Sequence, residues 1–276
     1  LRRLELKILK QFNELPISGI RLDHFHGIEI ADFAHETAKL SMWLAELQMN
    51  IEFKAEMGRT LPNLPLQVSC NVQHGNACRI DWSEVVASEV IRECFIIGNP
   101  PYLGTRNQDK GQKSDMTVVC GHIPKHKSLD YVSAWIVNAI KFLAQVKGGV
   151  SFVCTNSIVQ GDQVGVLWPF VFSEGYVIQF AHSTFKWSNN AKKNAGVSVV
   201  IIGLAKSAGG KCSLFNQLGK REVSSISPYL TSGKSVVVGR RSTSLSDLNP
   251  MIKGSIPADG GGLILSDVER KQLIGD

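Results

Sequence analysis

No apolar stretch in this chain of 276 residues reaches the roughly 18–20 needed to span a bilayer. The N-terminal stretch does not read as a secretory signal either. The opening "LRRLELKILKQF" has a charged amphipathic helix pattern and lacks the apolar centre that export requires. The cysteines (Cys70, Cys78, Cys94, Cys120, Cys154 and Cys212) include no Cys-x-x-Cys pair, and most lie in apolar, strand-like runs. A thiol there packs as a small hydrophobe. This usage fits a reduced, cytoplasmic setting better than a disulfide framework. His122 and His126 have helical ligand spacing, but Pro124 between them disfavours a helix, so no metal is expected. No internal repeat or low-complexity tract stands out. An initiator methionine is also lacking, and the closing "ERKQLIGD" has no clear cap, so the chain reads as an internal piece of a longer protein.

What is present is a globular pattern with a formal charge of +6. That modest excess suits a phosphate-rich partner, and it also suits a plainly solvated surface. Its distribution is more informative. Arg106, Lys110, Lys113, Lys125 and Lys127 follow one aromatic segment, and Lys186, Lys192 and Lys193 surround another. Basic residues interleaved with Tyr and Trp in loops are what a nucleic-acid groove uses.

Helical periodicity and short apolar runs alternate along the chain. Helices are expected over 2–15, over 31–50 with Asp32 as a plausible N-cap, over 82–91, over 129–146 and near 162–174. Strands are expected over 24–30, 66–72, 94–99, 149–157, 177–183 and 196–205, with a long polar loop at 103–127. Continuous Val/Ile/Phe runs between helices imply strands buried on both faces, hence an α/β fold with a mostly parallel sheet. After residue 206 Gly, Ser and Lys dominate. Residues 1–206 therefore read as the principal domain and 207–276 as the beginning of a second.

The stretch "CFIIGNPPYLG" joins a buried strand to a tetrapeptide that continues neither strand nor helix. In an open parallel sheet, ligands bind beyond the carboxyl ends of the strands, where Asn99 falls. Its amide oxygen and the Pro100 carbonyl offer two acceptors to one NH2 group. Two such acceptors draw the nitrogen lone pair out of conjugation and leave it nucleophilic. Pro100 and Pro101 restrict the backbone, so these acceptors are set before a substrate arrives. Tyr102 supplies a ring on which a planar group can stack. The chemistry that fits is direct methyl transfer to an amino nitrogen. The competing reading is a simple Pro-Pro turn with Asn as turn former, against which stand the preceding strand and the following basic loop. Adenine N6, cytosine N4, guanine N2 and a glutamine amide all present a suitable NH2.

Further segments extend the pattern. "GIEIADFAHETAKLSMWLAELQMN", "GNACRIDW", "IIGNPPYLG", "LDYVSAWIVNA", "FVCTNSIVQGDQV", "AHSTFKWSNNAKKNAGVSVVIIG" and "DGGGLILS", in this order, resemble the amino-methyltransferases of the MmeI-like (type IIL) restriction–modification family. The resemblance covers nearly the whole chain. It implies a Rossmann-like methyltransferase fold with an antiparallel last strand, followed by a target recognition domain. It also implies methyl transfer from S-adenosylmethionine to N6 of an adenine flipped out of specific double-stranded DNA. Nuclease and helical regions would lie elsewhere in the same polypeptide.

By the same resemblance Glu29 takes the cofactor ribose hydroxyls, where two carboxylate oxygens suit a vicinal diol. Ile30 packs on the cofactor adenine, and Asn76 bonds its edge beside Ala77. Many relatives carry Asp at that position, which leaves Asp81 as the alternative. Asn99, Pro100, Pro101 and Tyr102 hold the target amine. Phe185 or Trp187 stacks on the far face of the extruded base, which must leave the duplex to be reached; Phe185 is equally readable as core. Asp130 reads as an N-terminal helix residue rather than a ligand. Arg106, Lys110, Lys113, Lys186, Lys192 and Lys193 are candidates for the DNA backbone. The family's glycine-rich first motif has no counterpart and is expected before Leu1. The chain as it stands is therefore expected to bind S-adenosylmethionine weakly or not at all. Two readings stay beside this one: an amino-methyltransferase of RNA or protein glutamine, and a catalytically inactive DNA-binding module.

Overall fold

Two sheets form the frame. The computed structural model describes residues 1–12, 18–58, 70–86, 92–187, 197–206, 209–239 and 265–274. Strands β1 (His26–Glu29) and β2 (Asn71–His74) pair in parallel as the smaller sheet. The larger is built from β3 (Glu93–Gly98), β4 (Lys147–Thr155), β5 (Tyr176–Lys186), β6 (Ser198–Lys206), β7 (Cys212–Asn216) and β8 (Gly219–Val223), in the order β3-β4-β6-β5-β7-β8. β3 and β4 are parallel, and β6 lies antiparallel between β4 and β5. β3, β4 and β5 therefore point the same way, and their carboxyl ends share one edge. The register shows this directly, since Thr155 and Phe185 both pair with Val199. Gly148, at φ 145°, lets β4 close on β3; a Cβ there would lie 1.7 Å from the Cys94 carbonyl oxygen.

The expectation of strands buried on both faces holds at the centre of the sheet. Val150, Phe152, Cys154, Ile178, Ala181, Val200, Ile202 and Leu204 are buried. Helices α5 (Ser133–Leu143) and α6 (Gly161–Ser173) add Val137, Ile140, Leu167 and Trp168 to the same core. Each large side chain buried there contributes about 1.5–3 kcal/mol. The expectation fails for β3, where Phe95 is 70% and Ile97 is 83% exposed. β3 is the outermost strand, and no described segment covers that face. Cys78, Cys94, Cys120, Cys154 and Cys212 carry free thiols.

The helices differ from expectation in instructive ways. α1 (Arg2–Phe12) lies against α2 (Asp32–Met57) through an Arg3–Glu52 ion pair and the Arg2 guanidinium, 5.0 Å from the Phe53 ring centroid. α2 outruns its expected end and stops at Gly58, whose φ of 69° is the left-handed conformation glycine adopts freely. Its N-cap is Ala31, so Asp32 is instead the first helical residue. α3 (Trp82–Val85) is one turn, and the remainder of its expected range, 87–91, lies outside the described residues. α5 begins at Ser133 rather than 129, because residues 130–132 turn to serve the site described below.

Within the expected loop 103–127 lies a further helix, α4 (Lys110–Cys120). Its start is fixed by reciprocal capping: the Gln112 N–H donates to the Asp109 carboxylate (2.8 Å), and the Asp109 N–H to the Gln112 side chain (2.9 Å). Met116, Val119 and Cys120 form its buried stripe. The β7–β8 hairpin extends the main sheet, so the first compact unit runs through Gly239, past the composition change at 206. The second unit starts at Arg240, and of it the described residues form only α7 (Asp267–Ile274). The described residues include no helix long and apolar enough to cross a membrane.

Candidate active site

The tetrapeptide lies immediately past β3. Asn99 and Pro101 are exposed, Tyr102 is half-buried and Pro100 is buried, so the corner is open to a ligand. The next residue anchors it. The Leu103 carbonyl accepts from the Tyr131 N–H (2.9 Å) and from the Gln108 side-chain amide (3.2 Å), and buried Gln108 also donates to the Leu129 carbonyl (3.1 Å). The Tyr102 hydroxyl donates to the Asn99 amide oxygen. Burial, with Cys154 nearby, pushes the Tyr102 phenol up to about 12, which keeps it a donor at neutral pH.

The ends of β4 and β5 supply the adjoining wall. The buried Asp130 carboxylate accepts from Thr155 (3.2 Å), from Ser157 and from the Gln163 amide (3.3 Å). Asp130 thus fastens the end of β4, a role different from the helix-start position expected of it. Thr184 donates to the Asn156 amide oxygen (2.5 Å), and both line a cavity of about 270 Å³ with Gln160, Ser183 and Tyr229. Phe185 and Trp187, both half-buried, lie 6.3 Å apart between ring centroids, and His182 meets Phe185 edge-on at 4.9 Å. The structure thus brings Asn99–Tyr102, Phe185 and Trp187 to one edge of the sheet.

A second group of predicted residues gathers around the ends of β1 and β2. Glu29 accepts the Ala31 N–H on one carboxylate oxygen (3.0 Å), and its carbonyl accepts from Gly75 (2.8 Å). Ile30 is 65% exposed. Both polar ends of the Asn76 amide are engaged: its oxygen accepts the Cys78 N–H (2.8 Å), and its nitrogen donates to Asp115 (2.9 Å). One N–H and one lone pair remain for a ligand. The Ala77 carbonyl is held by Trp82 (2.9 Å) and Asn138 (3.1 Å). Asp81 is turned to the start of α3, where the Ser83 hydroxyl and N–H hold its carboxyl below the usual range. Arg106, Lys110, Lys113 and Lys186 are exposed; Lys192 and Lys193 lie outside the described residues.

Sequence reasoning missed Gln108, Asp115, Asn138 and Gln163. Only Asp115 carried a signal, as a carboxylate on the same helical stripe as Met116 and Val119.

A mixed sheet in which β6 lies antiparallel between two strands of one direction, with helices packed on it, has the architecture of a Rossmann-like methyltransferase domain. The comparisons narrow this class. The family model described as "MmeI, DNA-methyltransferase domain" matches residues 1–216, and the chain belongs to that family. It is 44% identical over 281 residues to DNA methyltransferase A of Bacillus subtilis (strain 168), covering 99% of this chain and 32% of that protein. It also superposes on the type IIL restriction-modification enzyme MmeI, solved in complex with DNA, with a TM-score of 0.85 and 34% identity. That match covers 99% of this chain and 38% of the other. The chain thus spans about a third of the length of each relative.

Proposed function

We propose that this chain is the methyl-transferring core of a site-specific adenine DNA methyltransferase, the modification part of a restriction–modification protein. The observation that carries the reading is the open corner at Asn99, anchored behind by Gln108 and Tyr131 and sharing its sheet edge with Phe185 and Trp187. B. subtilis DNA methyltransferase A and the DNA-bound MmeI structure support DNA as the substrate class.

In this reading the Asn99 oxygen and the Pro100 carbonyl accept both hydrogens of the adenine N6 amine and localise its lone pair. The Asn99 oxygen accepts the Tyr102 hydroxyl on one lone pair and keeps the other for the amine. The Tyr102 ring holds one face of the base, and Phe185 or Trp187 the other, offsetting the stacking lost on extrusion. Glu29, with one oxygen uncommitted to Ala31, fits a ribose diol, and exposed Ile30 fits an apolar purine face. S-adenosylmethionine, held there, supplies the electrophilic methyl group. Arg106, Lys110, Lys113 and Lys186 face the phosphates.

The test is transfer of labelled methyl from S-adenosylmethionine by the full-length protein, followed by nuclease digestion and separation of the nucleosides. Label in N6-methyladenine is expected, and Asn99→Ala should lower transfer about 10²–10³-fold with DNA still bound. Label in RNA, in protein or in N4-methylcytosine would reassign the substrate. No transfer at all would leave a DNA-binding module.

A further inference from the structure

Asp115, on α4, is 3% exposed yet ionised. Burial raises its pKa, but hydrogen bonds from Arg79, Tyr131 and Asn76 outweigh that and hold it below the ordinary carboxylate value. The contacts are close: Arg79 Nε at 2.7 Å, Tyr131 Oη at 2.8 Å and Asn76 Nδ2 at 2.9 Å.

These donors come from two segments that matter. Asn76 and Arg79 belong to the turn after β2, whose Ala77 carbonyl is already held by Trp82 and Asn138. Tyr131 stands before α5, and its backbone N–H holds the carbonyl of Leu103, the residue after Tyr102. An unbroken line of contacts therefore runs from the turn at Asn76, through one carboxylate and one phenol, to the corner at Asn99. Apolar packing alone would hold α4 in place; a buried anion with three directional donors fixes orientation as well.

We infer that Asp115, acting with Tyr131, is a positioning residue that locks the 76–79 turn and the Asn99–Tyr102 corner into one mutual geometry. It touches neither reacting group. Its kinetic consequences rest on the methyltransferase reading, whereas its mechanical content does not. In that reading the turn borders the cofactor and the corner holds the target amine, so a small slip between them separates the reacting atoms.

Asp115→Asn and Tyr131→Phe in the full-length protein test it. Tyr131→Phe deletes a single hydroxyl and keeps the ring, so it serves even where the buried amide of Asp115→Asn prevents folding. Hydrogen exchange of peptides covering 76–80 and 129–134 should quicken together, about tenfold or more, while α6 keeps its protection; in the second peptide the Tyr131 N–H reports its bond to the Leu103 carbonyl at the corner. The KM for S-adenosylmethionine should rise and kcat fall, each by about ten- to a hundredfold, with DNA affinity unchanged. Faster exchange in one segment alone, or a lower melting temperature with KM and kcat intact, would overturn the inference and leave Asp115 a scaffold residue. If the wild-type protein transfers no methyl, the methyltransferase reading falls, and the paired exchange still decides the mechanical claim.

Discussion

At Asn99 a single oxygen is shared between two claims, the Tyr102 hydroxyl that occupies it and the amine it is proposed to receive. The phenol and the ring of Tyr102 are therefore separable. Tyr102→Phe should leave methyl transfer within a few-fold of wild type, since it keeps the stacking face and both acceptors for the amine. Tyr102→Ala removes that face and should weaken base capture by about 1–3 kcal/mol, read as lost affinity for DNA carrying an already extruded adenine. Asp115 carries a different consequence, for acid stability. Its folded carboxyl titrates below the unfolded value of 3.8, so the stability it contributes is complete above that value and lost as pH falls through the lower folded one. Asp115→Asn should flatten the acid limb of a stability–pH curve in that window. Asn99, the prolines and Tyr102 were legible in the sequence because their chemistry is contiguous. Gln108 and Asp115 were not, because their partners lie as far as 21 and 39 residues away; nothing local marks Gln108, and the stripe that holds Asp115 names no partner for it.

Among the elements, α4 shows how a helix hides inside a polar stretch. Lys110, Lys113 and Thr117 face solvent and dilute the apolar count, so only the buried stripe and the reciprocal cap betray it. The cap is also the point where it breaks. Asp109→Ala should cost about 1 kcal/mol, seen as a lower urea midpoint at unchanged slope. The start of α5 was misplaced for the opposite reason. The apolar spacing of Leu129 and Val132 continues the helical period, while tertiary bonds from Tyr131 to Leu103 and from Asp130 to the end of β4 hold those residues in a turn. Periodicity reports which face is buried. It does not report where a backbone amide is needed elsewhere.

Across the whole molecule, the alternation of helices with Val/Ile/Phe runs made the sheet and its central strands readable, since burial on both faces is a property of each run. Strand order was not, because pairings such as Thr155 with Val199 join residues far apart in the chain. The surface cations act collectively. If Arg106, Lys110, Lys113 and Lys186 meet phosphates, each substitution by alanine should weaken binding to every DNA sequence alike and make the logarithmic salt dependence shallower by about one. The outer border of β3 has a more practical outcome. Among the described residues the amides and carbonyls along this border, beside Phe95 and Ile97, meet no neighbouring strand, an unsealed seam, so concentrated samples of this chain alone should scatter light and clump edge to edge. Replacing Ile97 with lysine should keep them clear.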